Sequence, residues 1–153
     1  MKNEITVLVF DEPSVLRCLI MLLNEIREFN FHVIFAPNVI DARALITDTD
    51  IDMAIIDMGD VKLEGLEIAC MAVNKGAGTP VIVTSPLGHA AGKVEETKYF
   101  RFVSKSPFNI VEFLRTVRDL AVIAQEKKSP ECQTNELTDR YRRALSAQIA
   151  ALN

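Results

Sequence analysis

Met53-Ala54-Ile55-Ile56-Asp57 is a short apolar run that ends on a carboxylate, and Gly65 follows that carboxylate eight residues later. A strand buried on both faces reads as a continuous apolar run, as parallel sheets require. The carboxyl ends of such strands are where open α/β sheets place their chemistry. Asp57 is therefore predicted at a sheet edge with water on one side. A carboxylate there can hold a cation or attack a phosphorus centre.

Similar runs recur on both sides of this one. Thr6 to Phe10, Phe31 to Ala36, Val81 to Val83 and Tyr99 to Val103 read as four more strands. Helical spacing links them. Val15, Leu16, Leu19, Leu22, Leu23 and Ile26 form one stripe after Pro13, which suits a first helical turn. Asn38 caps a second helix that is expected to turn Ile40, Ala44 and Leu45 inward, before a polar turn from Thr47 to Asp52. Gly65 to Val73 carries Leu66, Ala69, Cys70 and Val73, and Asn109 to Gln125 carries Ile110, Phe113, Leu114, Val117, Leu120 and Ala121. Pro86 to Lys98 has no clear pattern. Strands alternating with helices imply βαβ units and a parallel sheet covered on both faces. The predicted fold class is α/β, a doubly wound five-stranded parallel sheet (flavodoxin/CheY-like) over residues 1–125, with a polar linker at 126–134 and a C-terminal helical extension at 135–153.

The composition fits this. Of 153 residues, 49% are hydrophobic and 25% charged, as in an ordinary globular chain. A formal net charge of −4 argues against direct nucleic-acid binding by this chain. The apolar runs fall short of the ~20 residues of a membrane span. Met1-Lys2-Asn3-Glu4 runs straight into a strand without a signal peptide, so a cytoplasmic location is expected. Cys18, Cys70 and Cys132 have no metal-like spacing, and Cys18 and Cys70 are expected as small core residues. His32 and His89 have no ligand-spaced partner.

Topology delivers Asp11, Glu12, Asp57, Thr84, Ser85 and Lys105 to one sheet edge. Phosphoryl transfer to Asp57 would spread negative charge over three oxygens, so catalysis there is positioning and neutralisation. Acids can hold a divalent ion, a lysine can neutralise another oxygen, and a hydroxyl can hydrogen-bond a third. The bland alternative is a structural Asp57–Lys105 ion pair.

At this point residues 4–125 resemble the receiver domains of two-component response regulators. Val9-Phe10-Asp11-Glu12-Pro13 is similar to the family's first-strand acidic motif, and Asp57-Met58 with Leu63-Glu64-Gly65-Leu66-Glu67 to the loop after its phospho-acceptor. Thr79-Pro80-Val81-Ile82-Val83-Thr84-Ser85 resembles the fourth strand and its switch hydroxyl, and Phe102-Val103-Ser104-Lys105 the fifth strand with its switch aromatic and lysine. The resemblance implies a phosphoprotein of a two-component phosphorelay in signal transduction. Asp57 would be the phospho-acceptor, with Lys105 as counter-charge, Ser85 or Thr84 as the sensing hydroxyl and Phe102 as the switch. Magnesium would be bound by Asp11 and Asp57, with Glu12 as a possible longer substitute. The donor would be a histidine kinase or phosphotransfer protein. The chain would be no enzyme beyond slow hydrolysis of its own aspartyl phosphate.

Departures from the pattern carry equal weight. In the ungapped register, anchored by Glu12-Pro13, Phe10 replaces the first of two adjacent acids; a one-residue shift would make Asp11 and Glu12 the pair. Magnesium binding is therefore expected to be weak. Val61 stands in place of a proline, and Ser106 separates Lys105 from Pro107. Counting from Pro80 favours Ser85 over Thr84 as the hydroxyl. These losses motivate the alternative of a degenerate pseudo-receiver, a phosphorylation-independent interaction or dimerisation module. In the extension, Leu137, Tyr141, Leu145, Ile149 and Leu152 form a narrow stripe over roughly four turns, beside Arg140, Arg142 and Arg143. Leu137-Thr138-Asp139-Arg140 is faintly similar to the opening of some helix-turn-helix output domains. The stripe is expected to need a partner surface, with a homodimer through this helix or the preceding one favoured over docking on the chain's own domain or on a downstream output domain.

Overall fold

The computed structural model describes residues 3–58, 64–75, 78–85, 96–128 and 136–152. Five strands, β1 (Asn3–Phe10), β2 (Phe29–Ala36), β3 (Met53–Asp57), β4 (Val81–Ser85) and β5 (Phe100–Ser104), form one sheet in the order β2-β1-β3-β4-β5, with every neighbouring pair parallel. The central strands are apolar throughout because both sheet faces are covered: Ala54, Ile55 and Ile56 are fully buried. Helices α1 (Pro13–Asn24) and α4 (Ile110–Lys127) cover one face, where Leu19, Leu23, Phe113, Val117 and Leu120 meet Val7, Val9 and Ile55. Helices α2 (Val39–Asp48), α3 (Glu64–Asn74) and α5 (Glu136–Leu152) cover the other, over Leu8, Ile56 and Val83.

The chain leaves β1 outward to β2 and returns past β1 to β3. The strand order therefore reverses between β1 and β3, and the carboxyl ends of that pair border the crevice where such sheets bind ligands. Asp11 follows β1 and Asp57 ends β3.

Local signals were obeyed at most helix starts. Pro13 occupies the first turn of α1. Asn38 Oδ1 accepts from Asp41 N at 2.8 Å, and Asn109 Oδ1 from Glu112 N at 3.0 Å. Other expectations need correction. In α2 the buried residues are Ala42 and Ile46, whereas Ile40 is 79% exposed and Ala44 also faces out; only Leu45 is partly covered. The inward stripe starts from Val39, so the expected one was out of phase. The helix also runs on to Asp48, into the stretch read as a turn. Cys18 is exposed on α1 rather than buried, while Cys70 is partly covered. Ile110 is half exposed at the start of α4. That helix continues to Lys127, past the expected start of the linker, because Lys127 is anchored by the Gly78 carbonyl and lies 4.3 Å from the centre of the Tyr99 ring. His89, Val61, Cys132 and most of Pro86 to Lys98 lie outside the described residues.

The extension is helical, and part of its stripe is covered by its own domain. Leu145 and Ile149 are only 2% and 3% exposed and join the core over α3. Each such burial contributes about 1.5–3 kcal/mol. Asn74 and Ser146 exchange hydrogen bonds of 2.7 and 3.0 Å across the α3–α5 seam. Buried residues of α3 include Leu66, Ala69 and Val73 but also Ile68 and Ala72, more than one helical face, because the helix is sandwiched between sheet and α5. The covered half of the stripe no longer calls for a second chain.

Candidate functional site

Backbone pairing brings four elements to one point. Phe10 pairs with Ile56 and Asp57 with Thr84, so Asp57 and Thr84 lie in one row across β3 and β4, and Asp11, the residue after β1, continues that row. Paired residues of neighbouring strands present side chains to the same face. Met58 N donates to Thr84 O at 2.8 Å, and Lys105 N to Ser85 O at 2.9 Å, which fixes the ends of β3 and β5 beside β4.

Lys105 closes the group. Its Nζ donates to Asp11 Oδ2 at 2.8 Å and Oδ1 at 3.0 Å, and stands 3.2 Å from Asp57 Oδ1. The inserted Ser106 does not displace the lysine; the turn after it contains a cis Ser106–Pro107 bond. Asp11 is almost fully buried and also accepts from Glu12 N at 2.7 Å. Burial pushes the Asp11 carboxyl above the ordinary aspartate range, against the Lys105 hydrogen bond and the Glu12 amide, which pull it down. Burial alone would lower the Lys105 ammonium; the hydrogen bond and charge of Asp11, with Asp57, outweigh it and hold Lys105 above its usual value.

Asp57 is the partly open member. A cavity of about 210 Å³ leads to it, walled by Phe10, Asp11, Glu12, Met58, Glu64 and Gly65. Asp57 Oδ1 is buried and accepts no well-aligned hydrogen bond, despite its nearness to Lys105, and Thr84 Oγ1 is likewise buried without a partner among the described residues. Two acceptor-bearing groups without hydrogen bonds at one spot are the condition of a site built for something further. Ser85 is equally buried but lies on the opposite sheet face, two residues after Val83, which pairs with Phe102. Phe102 is buried edge-on against Phe100, with ring centres 5.3 Å apart. The two hydroxyls thus divide between the row of the acids and the face of the aromatic.

Among the described residues no group of three His, Cys, Asp or Glu is arranged to hold a metal. Asp11 and Asp57 still offer two carboxylates beside a cavity, and magnesium takes one or two carboxylates while keeping several waters. The residues therefore fit a weakly held ion. Glu12 is exposed at the cavity wall. Glu64 was not singled out as a site residue in the sequence, although it stands next to Gly65 at the start of a helix; it lines the cavity as a fourth acid, with Asp11, Glu12 and Asp57.

The chain matches no family model, and no curated protein matches it in sequence. Solved structures do match. The response regulator protein TrrA from Thermotoga maritima, in complex with Mg2+-BeF, is 25% identical, with a TM-score of 0.62 over 78% of this chain and 99% of that one. The signal receiver domain of an HD domain-containing protein from Pseudomonas fluorescens is 21% identical, with a TM-score of 0.62 over 82% of this chain and 99% of that one. A two-component transcriptional regulator from Clostridium phytofermentans is 17% identical, with a TM-score of 0.63 over 81% and 98%. No helix among the described residues is long and apolar enough to cross a membrane. With the parallel order β2-β1-β3-β4-β5, these matches show that the chain has the fold of response regulator receiver (CheY-like) domains.

Proposed function

We propose that the chain is a signalling receiver that takes a phosphoryl group on Asp57 from the phosphohistidine of a histidine kinase or phosphotransfer protein. The observation that carries this is Lys105 Nζ held between Asp11 and Asp57 beside a cavity opening on Asp57. An Asp57 oxygen attacks phosphorus, the new P–O bond forms as the donor's P–N bond breaks, and the leaving imidazole keeps the electron pair and takes a proton. Lys105 neutralises charge on the transferred group, and its tether to Asp11 fixes it in place beforehand. In this reading Thr84, in the row of the acids, donates to the group, and Ser85, on the face of Phe102, reports it. Bound magnesium, held by Asp11 and Asp57, would offset negative charge on the phosphoryl oxygens. The chain is not an enzyme in this reading; its aspartyl phosphate only hydrolyses slowly. A cytoplasmic signalling role fits it, with an output domain or protein downstream.

Phe10 favours a second reading. It walls the cavity where a further acid would strengthen cation binding, and both Asp11 oxygens are already taken by Lys105. A pseudo-receiver would keep the fold as an interaction or dimerisation module without phosphorylation. Treatment with a small phosphodonor and magnesium, read by intact mass, separates the two: one added phosphoryl group supports the first, and an unchanged mass the second.

A further inference from the structure

Helix α3 touches the candidate acceptor at one end and α5 at the other. A Cβ added at Gly65 would lie 2.3 Å from the Asp57 carbonyl oxygen and 2.6 Å from Met58 Cα. The first turn of α3 therefore rests on the acceptor's backbone with no slack, and Glu64 and Gly65 wall its cavity. In the second half of α3, Asn74 exchanges hydrogen bonds with Ser146, and Cys70 Sγ lies 3.8 Å from the same hydroxyl. Leu145 and Ile149 enter the cluster that holds Met58, Leu66 and Phe102. Among residues 143–152 these two are the buried ones, and Leu152 is partly covered against the same cluster.

We infer that α5 is a reversible in-chain ligand of α3, and that its docking is set by the state of Asp57. A phosphoryl group adds nearly two negative charges to a cavity that Glu64, at the start of α3, also lines. Tight contact at Gly65 leaves no give between Asp57 and the helix, so α3 shifts as a body rather than absorbing the change. The far end of that movement is the Asn74–Ser146 contact. A helix of this length is marginal in water, so α5 frays once it leaves α3. The trigger rests on the receiver reading of Asp57; the α3–α5 contact does not.

The test uses the full chain with beryllofluoride and magnesium as a phosphoryl stand-in, and reads hydrogen exchange of α5 amides. Protection is expected to fall at least tenfold on binding, and by a similar factor in Gly65→Ala alone, while β1 and β3 amides stay protected. In a second measurement, Ser146→Cys in a Cys18→Ala, Cys132→Ala background locks α5 through Cys70. Because coupling is reciprocal, the locked form should bind beryllofluoride at least fivefold more weakly than its reduced form. Unchanged α5 protection on binding, or equal affinities of locked and reduced forms, overturns the proposal. If fluorine NMR shows no beryllofluoride at Asp57, the receiver reading fails instead. The Gly65→Ala exchange then decides the α3–α5 coupling: loss of α5 protection upholds it, and retained protection overturns it.

Discussion

Lys105 Nζ donates to both carboxylate oxygens of Asp11, at 2.8 and 3.0 Å, and reaches Asp57 at 3.2 Å through one oxygen only. The lysine is thus bound to the acid that would hold a cation and only leans on the acid that would react. Asp57 meets the lysine through Oδ1 alone and stays partly open to the cavity. That asymmetry leaves the nucleophile available while its counter-charge is already in place. Lys105→Ala should therefore slow labelling of Asp57 by a phosphodonor without abolishing it, by about 10²-fold if the ammonium acts as a single electrostatic stabiliser. Single-turnover labelling followed by mass checks this; an unchanged rate would remove Lys105 from the chemistry.

Magnesium affinity should rise when Phe10 is replaced by Asp. Phe10 ends β1 at the cavity wall, and a carboxylate there adds a hard charged ligand where none exists. Tightening of about tenfold, or ~1.4 kcal/mol, is expected by calorimetric titration. Asp11→Asn should weaken binding. Equal affinity in all three proteins would place the ion elsewhere.

Two titrations of opposite acid–base type follow from the Asp11–Lys105 pair. Asp11 is raised above 3.8 mainly by burial, so the folded protein holds its proton more firmly than the unfolded chain. Its contribution to stability is complete below the unfolded value and is lost as pH rises through the folded value. Lys105 is raised above 10.5 once its carboxylate partners outweigh burial, so its contribution persists through neutral pH and is lost only as pH climbs through its folded value. Carboxyl-carbon NMR should give an Asp11 midpoint above 3.8 in the wild type and a higher one in Lys105→Met, which removes an opposing influence. A lower midpoint in Lys105→Met would reverse the assignment.

Leu145→Ala should destabilise the protein by about 2–5 kcal/mol in urea unfolding, the usual cost of truncating a buried leucine. Ala147→Ser, at an exposed site of the same helix, should fall within about 0.5 kcal/mol. If both changes are neutral, α5 is not part of the folded core.

Much of the fold could be read from the chain because parallel strands announce themselves. Ala54-Ile55-Ile56 and Val81-Ile82-Val83 are apolar on both faces, and Asn38 and Asn109 mark helix starts with side-chain caps. Helix phase was harder to read. Ile40 looks like a core residue and is exposed, because one turn of a short helix fits two stripes and only the sheet beneath selects Val39, Ala42 and Ile46. The convergence of Asp11, Asp57 and Lys105 was legible because topology alone sends them to one edge. Which hydroxyl joins the acids was not, since it depends on register: Thr84 pairs with Asp57, and Ser85 falls on the opposite face. Glu64 was hidden because its place on the cavity wall follows from how α3 seats on Asp57. The partner of α5 could not be read either, since a narrow stripe states that a surface is needed without saying whose.

The central claim is that Asp57 accepts the phosphoryl group, and site-resolved labelling tests it most directly. The chain is treated with a small phosphodonor and magnesium, reduced with borohydride to convert an aspartyl phosphate to homoserine, digested and sequenced by tandem mass spectrometry. The account predicts homoserine at position 57 alone, and none in Asp57→Asn. Homoserine at another aspartate, the longer hydroxynorvaline at a glutamate, or an Asp57 left intact under conditions that label an active receiver in the same tube, would contradict it.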